Sequence, residues 1–296
     1  MKLNKVLLFA LLTLSLNSVT AMSPNISSPE IKEKEITVSK KSTPKLSIKS
    51  STVKQGEFYE VTVTGVKRTP LVWFNQIAFR AFKTADKEYT ALIPVENLTK
   101  PGSYAILARA DDWEDKVPVT VLDNAKPVQH ITLSKSKSGL SASQKELSEI
   151  SSTFRLRSED LYSVNHFIYP SNARKSSPFG VKRSYNNAPV SSYHKGLDFA
   201  GVMGSPVFAP GDAKVALVGY EKDGYNVHGN AIVLDHGHAL TSIYMHLSKI
   251  DVKEGDWVTK GQKIGEVGHT GISSGPHLHW GTYLYGISVD PELFVD

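Results

Sequence analysis

The sequence predicts a mainly β protein: an N-terminal β-sandwich, a short helical connector and a C-terminal antiparallel β-sheet domain. Three observations predict it. Alternating, β-branched and aromatic segments recur at short spacing between Leu46 and Leu122. Similar segments, separated by glycines, recur from about Tyr169 to Asp296. Only one stretch between the two carries a helical period. The length of 296 residues fits two domains of ~150 residues each.

The chain opens with Lys2 and Lys5, followed by an apolar run of 11 residues from Val6 to Leu16. That run is too short to span a bilayer, and Val19-Thr20-Ala21 offers a small-residue cleavage site. Residues 1–21 are therefore expected to be a signal peptide of an exported protein, with no stable membrane insertion after its removal. Residues 22–45 are rich in Ser, Lys, Pro and Glu without an apolar period, and are expected to form a flexible arm.

Residues 46–122 carry the sandwich pattern. Phe58 to Thr64 alternates, and Leu71 to Phe74, Tyr89 to Val95, Tyr104 to Ala108 and Val117 to Leu122 follow. Gly56, Gly65, Pro70 and Pro101-Gly102 mark turns between them. No cluster of titratable groups stands out, so a spacer or binding module is expected. Residues 123–168 form the connector. Ser143-x-x-Glu146 is a capping box, and Leu147, Ile150 and Phe154 follow at helical spacing, predicting a helix from Ser143 to Thr153. Ser158 is expected to cap a further turn through Asn165. Residues 169–296 read as strands at 207–209, 213–218, 230–234, 240–245 and 278–285.

Composition narrows the chemistry. Hydrophobic residues at 40% and charged residues at 21% are globular values, which argues against a mostly disordered chain. The absence of cysteine excludes disulfides, thiolate zinc sites and a cysteine nucleophile. The formal charge of +5 suits an anionic environment, and nothing in the sequence calls for nucleic acid.

Ten histidines then locate the candidate site, because eight of them lie between His194 and His279. His194 and Asp198 form His-x-x-x-Asp. His246 stands near a strand end. His277 and His279 form His-x-His on a predicted strand, where i and i+2 share a face and look into one cleft. His236 and His238 are expected to belong to a polar turn, and His130, His166, His228 and His269 to be structural.

Taken in order, the fragments resemble the lysostaphin-type zinc endopeptidases of bacterial cell walls. The resemblance runs over about 115 residues, from Ser177 to Pro291. It rests on Ser177-Pro178-Phe179-Gly180, His194-Lys195-Gly196-Leu197-Asp198, Gly229-Asn230, Asp235-His236-Gly237 and Tyr244-Met245-His246-Leu247-Ser248. It continues through Val252 to Gly265, Gly268-His269-Thr270-Gly271 and Gly275-Pro276-His277-Leu278-His279-Trp280. The leading sandwich resembles the immunoglobulin-like module of some Gram-negative members.

The resemblance implies one Zn2+ per chain, held by His194, Asp198 and His279, with His246 and His277 as the catalytic pair. Three N/O ligands leave a fourth tetrahedral position for water, as in a catalytic zinc. No His-Glu-x-x-His is present, so a histidine is the remaining base, His246 or His277. Tyr185 or Tyr193 is a candidate for holding the oxyanion. Gly268, Gly271 and Gly275 are expected to serve turn geometry. The implied activity is hydrolysis of peptidoglycan stem-peptide cross-links, D-Ala to diaminopimelate, by an exported protein in the periplasm, with an extracellular location as the alternative. The alternative is a non-catalytic cell-wall regulator of the same fold, such as an amidase activator. The presence of all five site residues disfavours it. Residues 22–165 are expected to position or restrain the catalytic domain, with a connector helix or the arm able to cover the cleft. A chain starting near Ser158 is expected to keep zinc and activity.

Overall fold

The computed structural model describes residues 43–132, 141–162 and 166–296. The expected signal peptide, and the expected arm up to residue 42, lie outside the described residues. The chain is mainly β, as predicted, with one α-helix among the described residues. No helix among them is long and apolar enough to cross a membrane.

Residues 45–122 form two sheets around one core. The first runs in the order Lys45–Ile48, Phe58–Thr64, Glu88–Pro94, Phe82–Ala85. The second runs Thr52–Lys54, Trp113–Leu122, Gly102–Ala110, Leu71–Phe74, Ile77–Arg80. The alternation read from the sequence decides the packing: Tyr59, Val61 and Val63 point inward, against Val72, Ile106, Ala108 and Val119. Pro118 lies within a strand, but the short Thr52–Lys54 strand pairs only with Thr120 to Leu122, so on that side no partner is lost. Strands such as Thr52–Lys54 and Phe82–Ala85 escape the sequence pattern because they are short and mostly exposed.

The C-terminal sheet has ten strands. Its main path is Arg174–Ser177, Leu197–Ala200, Leu278–Leu284, Leu240–Ile250, Asn230–Gly237, Ala213–Gly219 and Trp257–Val258. Parity along the strands sorts the residues into two faces. Leu197, Phe199, Ile232, Leu234, Leu240, Tyr244, Leu278, Trp280 and Leu284 fill the larger core on one face. Val233, Ile243 and Tyr283 point to the other face, where they pack with Leu217, Tyr225 and Ile150. Ile150 comes from the helix Gln144–Thr153, so the connector covers part of this second face. The capping box is formed, with the Ser143 side chain accepting from the Glu146 amide.

The connector is more than a tether. Its strand Val128–Ile131 pairs in parallel with Lys182–Tyr185. Phe167 is fully buried in the larger core, so structure of the C-terminal domain begins before residue 169. The turn expected after Ser158 is not helical through Tyr162, and residues 163–165 lie outside the described residues. Instead the Ser158 hydroxyl donates to Asp235, and its carbonyl accepts the His238 amide at 3.0 Å. The sandwich packs on the same end of the sheet and also against the segment before His194, where Asn97 Nδ2–H donates to Gly180 O at 3.1 Å. Phe82 stacks on His238 at 4.6 Å, Phe79 meets Tyr285 edge-on, and the Tyr285 hydroxyl donates to Arg80 O at 2.7 Å. At ~3.3 Å per residue, Tyr285 lies about 20 Å along the strand from His279.

Candidate metal centre and the histidines beside it

Asp198 and His279 face each other across neighbouring antiparallel strands, on the face opposite the larger core. His194 precedes that strand. Its backbone is pinned by a reciprocal pair, His194 N–H to Val181 O and Gly180 N–H to His194 O, both at 2.9 Å. Asp198 Oδ1 lies 2.9 Å from His279 Nδ1 and 3.1 Å from His194 Nε2, and the two ring nitrogens are 3.1 Å apart. His194 donates its Nδ1–H to Pro178 O at 2.9 Å, which leaves Nε2 bare toward the cluster. A carboxylate oxygen and two imidazole nitrogens converging with lone pairs inward, one imidazole already oriented by a carbonyl, is a donor set that can hold a divalent cation such as zinc.

Burial by itself would raise the Asp198 pKa, but the His194 and His279 imidazoles against it outweigh burial and hold the carboxyl well below the usual range. Burial depresses the His279 pKa, against the pull of Asp198. Gly196 makes the geometry possible: a methyl there would sit 2.5 Å from Trp280 O and 2.6 Å from His279 Nε2.

His277 and His279 share a side of the strand, as the spacing predicts, and His277 Nε2 lies 3.9 Å from Asp198 Oδ1. His246 arrives by another route. Regular alternation would put it on the face of Tyr244, inside the larger core. A β-bulge intervenes, with Ile232 opposite Tyr244 but Asn230 opposite Leu247. His246 takes a left-handed φ of 65° there, and Leu247 rather than His246 returns to the core. The imidazole is thereby turned to the His279 face, 4.8 Å from the His277 ring and 6.4 Å from the His279 ring. A non-glycine residue in this conformation costs of order 1–3 kcal/mol and persists where its surroundings enforce it. Burial lowers the His246 pKa to about 3, so the ring is neutral at pH 7.

The two histidines are held alike. His246 donates Nδ1–H to Thr270 O and His277 donates Nδ1–H to Gly275 O, each at 2.8 Å. Carbonyls only accept, so both tautomers have a bare Nε2. Thr270 also ties the neighbouring segments together, accepting from Asn230 N–H and donating to Leu247 O through its hydroxyl, each at 2.9 Å.

Other expectations need correction. Tyr193 is a wall residue: its hydroxyl is hydrogen-bonded to Ser288 Oγ at 2.8 Å, and burial pushes its pKa to about 12. Tyr185 makes no hydrogen bond or ring contact with the five site residues. Gly268 serves close approach rather than turn geometry, because a methyl there would strike the backbone of His246 to Ser248. His236 is a buried strand residue, bonded to Ser242 Oγ at 2.7 Å and Asp212 O at 3.2 Å. His238 is the turn residue, and with Ala239 it forms a two-residue hairpin loop with both φ positive. His166 bonds Asp296, His269 bonds Ser273 and His228 bonds Glu146. Pro178, Gly196 and Thr270 were quoted in the motifs, but their work is invisible in sequence because each acts on a histidine distant along the chain or through backbone atoms.

Residues 192–291 match the model of peptidase family M23. A Haemophilus influenzae protein described as an uncharacterized metalloprotease is 44% identical over 119 residues, 40% of this chain and 24% of that protein. The Vibrio cholerae peptidoglycan DD-endopeptidase ShyA is 39% identical over 117 residues, 40% of this chain and 26% of that protein. The chain thus spans about a quarter of the length of these curated relatives. A Pseudomonas aeruginosa crystal structure assigned to peptidase M23 aligns at a TM-score of 0.59 with 29% identity, covering 78% of this chain and 88% of that one.

Proposed function

We propose that this chain, whose residues 192–291 are a domain of peptidase family M23, is a zinc-dependent endopeptidase that hydrolyses cross-links between peptidoglycan stem peptides. One observation carries the reading: five side chains of the right chemistry converge on one face of the sheet, three as a ligand cluster and two beside it. His194 Nε2, Asp198 Oδ1 and His279 Nδ1 would hold the metal. Zinc bound there supplies a Lewis acid that brings the pKa of a coordinated water to about 7.

His246 and His277 do the proton work. Each is held through Nδ1–H and presents a bare Nε2, so each accepts a proton when neutral and donates one when charged. A proton taken from the attacking water can be returned to the leaving amine nitrogen. The carbonyl anchors remove ring rotation before reaction, which serves the same end as the third member of a catalytic triad. The bond we propose is D-Ala to diaminopimelate, cut in the periplasm after export, a reading supported by relatives named peptidoglycan DD-endopeptidases. The net charge, +5 for the full sequence and +3 once Lys2 and Lys5 leave with residues 1–21, suits an anionic polymer.

The test is incubation of the zinc-loaded protein with sacculi of known chemistry, followed by mass spectrometry of the released muropeptides. Cross-linked dimers should give way to monomers, and a chelator should stop the reaction. Intact dimers after exposure to protein of verified zinc content would overturn the reading.

A further inference from the structure

Glu146 is fully buried, yet it lies on the connector helix, outside the matched domain. A buried carboxylate is costly unless its lone pairs are used. Here they are all used. Oε1 accepts from Val227 N–H at 3.1 Å, His228 N–H at 2.7 Å and the His228 ring Nδ1–H at 2.6 Å. Oε2 accepts from Ser143 N–H at 3.2 Å and Asn226 N–H at 3.1 Å. Burial would raise the Glu146 pKa, but these bonds, led by His228, lower it and keep the group ionised. A capping box requires only the Ser143 bond. The other donors come from a turn 80 residues further along the chain.

That turn supports His246. His228 O accepts the His246 backbone N–H at 3.0 Å, at the residue with φ of 65°. Val227 O accepts Ile272 N–H at 3.0 Å, beside Thr270, whose carbonyl holds His246 Nδ1. Both the backbone and the ring of His246 are thus tied to the segment that Glu146 clamps. Tyr225 adds a second tie, donating its hydroxyl to Glu149 of the same helix at 2.7 Å.

We propose that Glu146 is a positioning residue for His246: from the connector helix, its carboxylate clamps the turn at 226–228 and so holds His246 in its cleft-facing conformation. The proposal rests on the reading of His246 as a hydrolytic group. It reverses the expectation that a chain starting near Ser158 keeps full activity, since such a chain lacks Glu146.

The experiment uses the full-length, zinc-loaded chain and a soluble cross-linked muropeptide dimer. Glu146→Ala should lower kcat about 10–100-fold, by analogy with the range for groups that orient metal ligands, with KM and zinc content unchanged. Because Glu146 acts through His246, the double variant Glu146→Ala/His246→Ala should be no slower than His246→Ala alone. By NMR, the hydrogen-bonded Nδ1–H signal of His246 should weaken or shift, and its backbone amide should exchange faster. Ser143→Ala breaks the cap but leaves the clamp, and should keep wild-type kcat and His246 signals. If Glu146→Ala does not fold, Glu146→Gln is read by the same NMR signals. Unchanged His246 signals in a folded variant, an additive loss in the double variant, or the same defect in Ser143→Ala would each overturn the proposal. Should the wild-type chain prove inactive, the function fails while the NMR comparison still decides the positioning role.

Discussion

Asp198 and His279 are register partners on adjacent antiparallel strands, and Asp198 Oδ1 lies 2.9 Å from His279 Nδ1. Neither residue can move toward or away from the other without breaking a sheet ladder, so the spacing of the ligand cluster is set by backbone hydrogen bonding. Metal loss is then expected from single replacements. His194→Ala, Asp198→Ala and His279→Ala should each abolish bound zinc and activity while leaving the sandwich folded. Elemental analysis is the check, and stoichiometric zinc in His279→Ala would remove that residue from the ligand set.

His246→Ala and His277→Ala should keep their zinc and lose rate. Positioned proton transfer contributes about 10²–10⁴-fold, so a loss of that order is expected in kcat. Near-normal turnover in either variant, at normal zinc content, would show that the histidine takes no part in the chemistry.

Gly196→Ala should weaken zinc binding although glycine offers no ligand. The added methyl would sit 2.6 Å from His279 Nε2 and 2.5 Å from Trp280 O, and the backbone oxygen cannot yield. Zinc titration against a competing chelator should report at least a tenfold loss, in the range for groups that orient a ligand. Wild-type affinity in the variant would mean that the strand start is softer than its packing implies.

Stability should fall with acid through a residue outside the site. His236 is completely buried, and burial lowers its pKa from 6.5 to about 4. The unfolded chain binds a proton at His236 below about 6.5 that the folded chain refuses until about 4. Its contribution is therefore fully present above pH 6.5 and is lost as pH drops toward 4, at up to about 1.4 kcal/mol per pH unit. Urea unfolding of the wild type and of His236→Gln across this window should show the shallower slope in the variant. Equal slopes would mean that His236 does not stay neutral in the folded protein.

Local chemistry accounts for what was legible. Ser143 and Glu146 sit three residues apart, so their capping box could be read directly and is formed. The alternation of Phe58 to Thr64 named the inward residues Tyr59, Val61 and Val63. The i, i+2 spacing of His277 and His279 put both on one side of a strand, because strand parity is a property of the backbone. The short strands Arg174–Ser177 and Lys182–Tyr185 were not legible, since RKSS and KRSY carry no apolar alternation and pair only once Leu197–Ala200 and Val128–Ile131, distant along the chain, present an edge to them.

The sequence by itself determined the fold class, the helix with its cap, and the identity of the five residues that meet at the cleft. Tertiary structure alone decided how they meet. Parity predicts that His246 follows Tyr244 into the core, and only the bulge opposite Asn230 to Ile232 reverses it. Capping rules assign Glu146 to its own helix, and only the packing of that helix against the sheet brings it to the donors of Asn226, Val227 and His228. Tyr193 has the chemistry of an oxyanion donor, and only its burial against Ser288 removes it from the site. The division has one physical reason: periodicity and capping are short-range backbone effects written in neighbouring residues, whereas a bulge, a clamped turn or a buried hydroxyl depends on groups that meet only after the chain has folded.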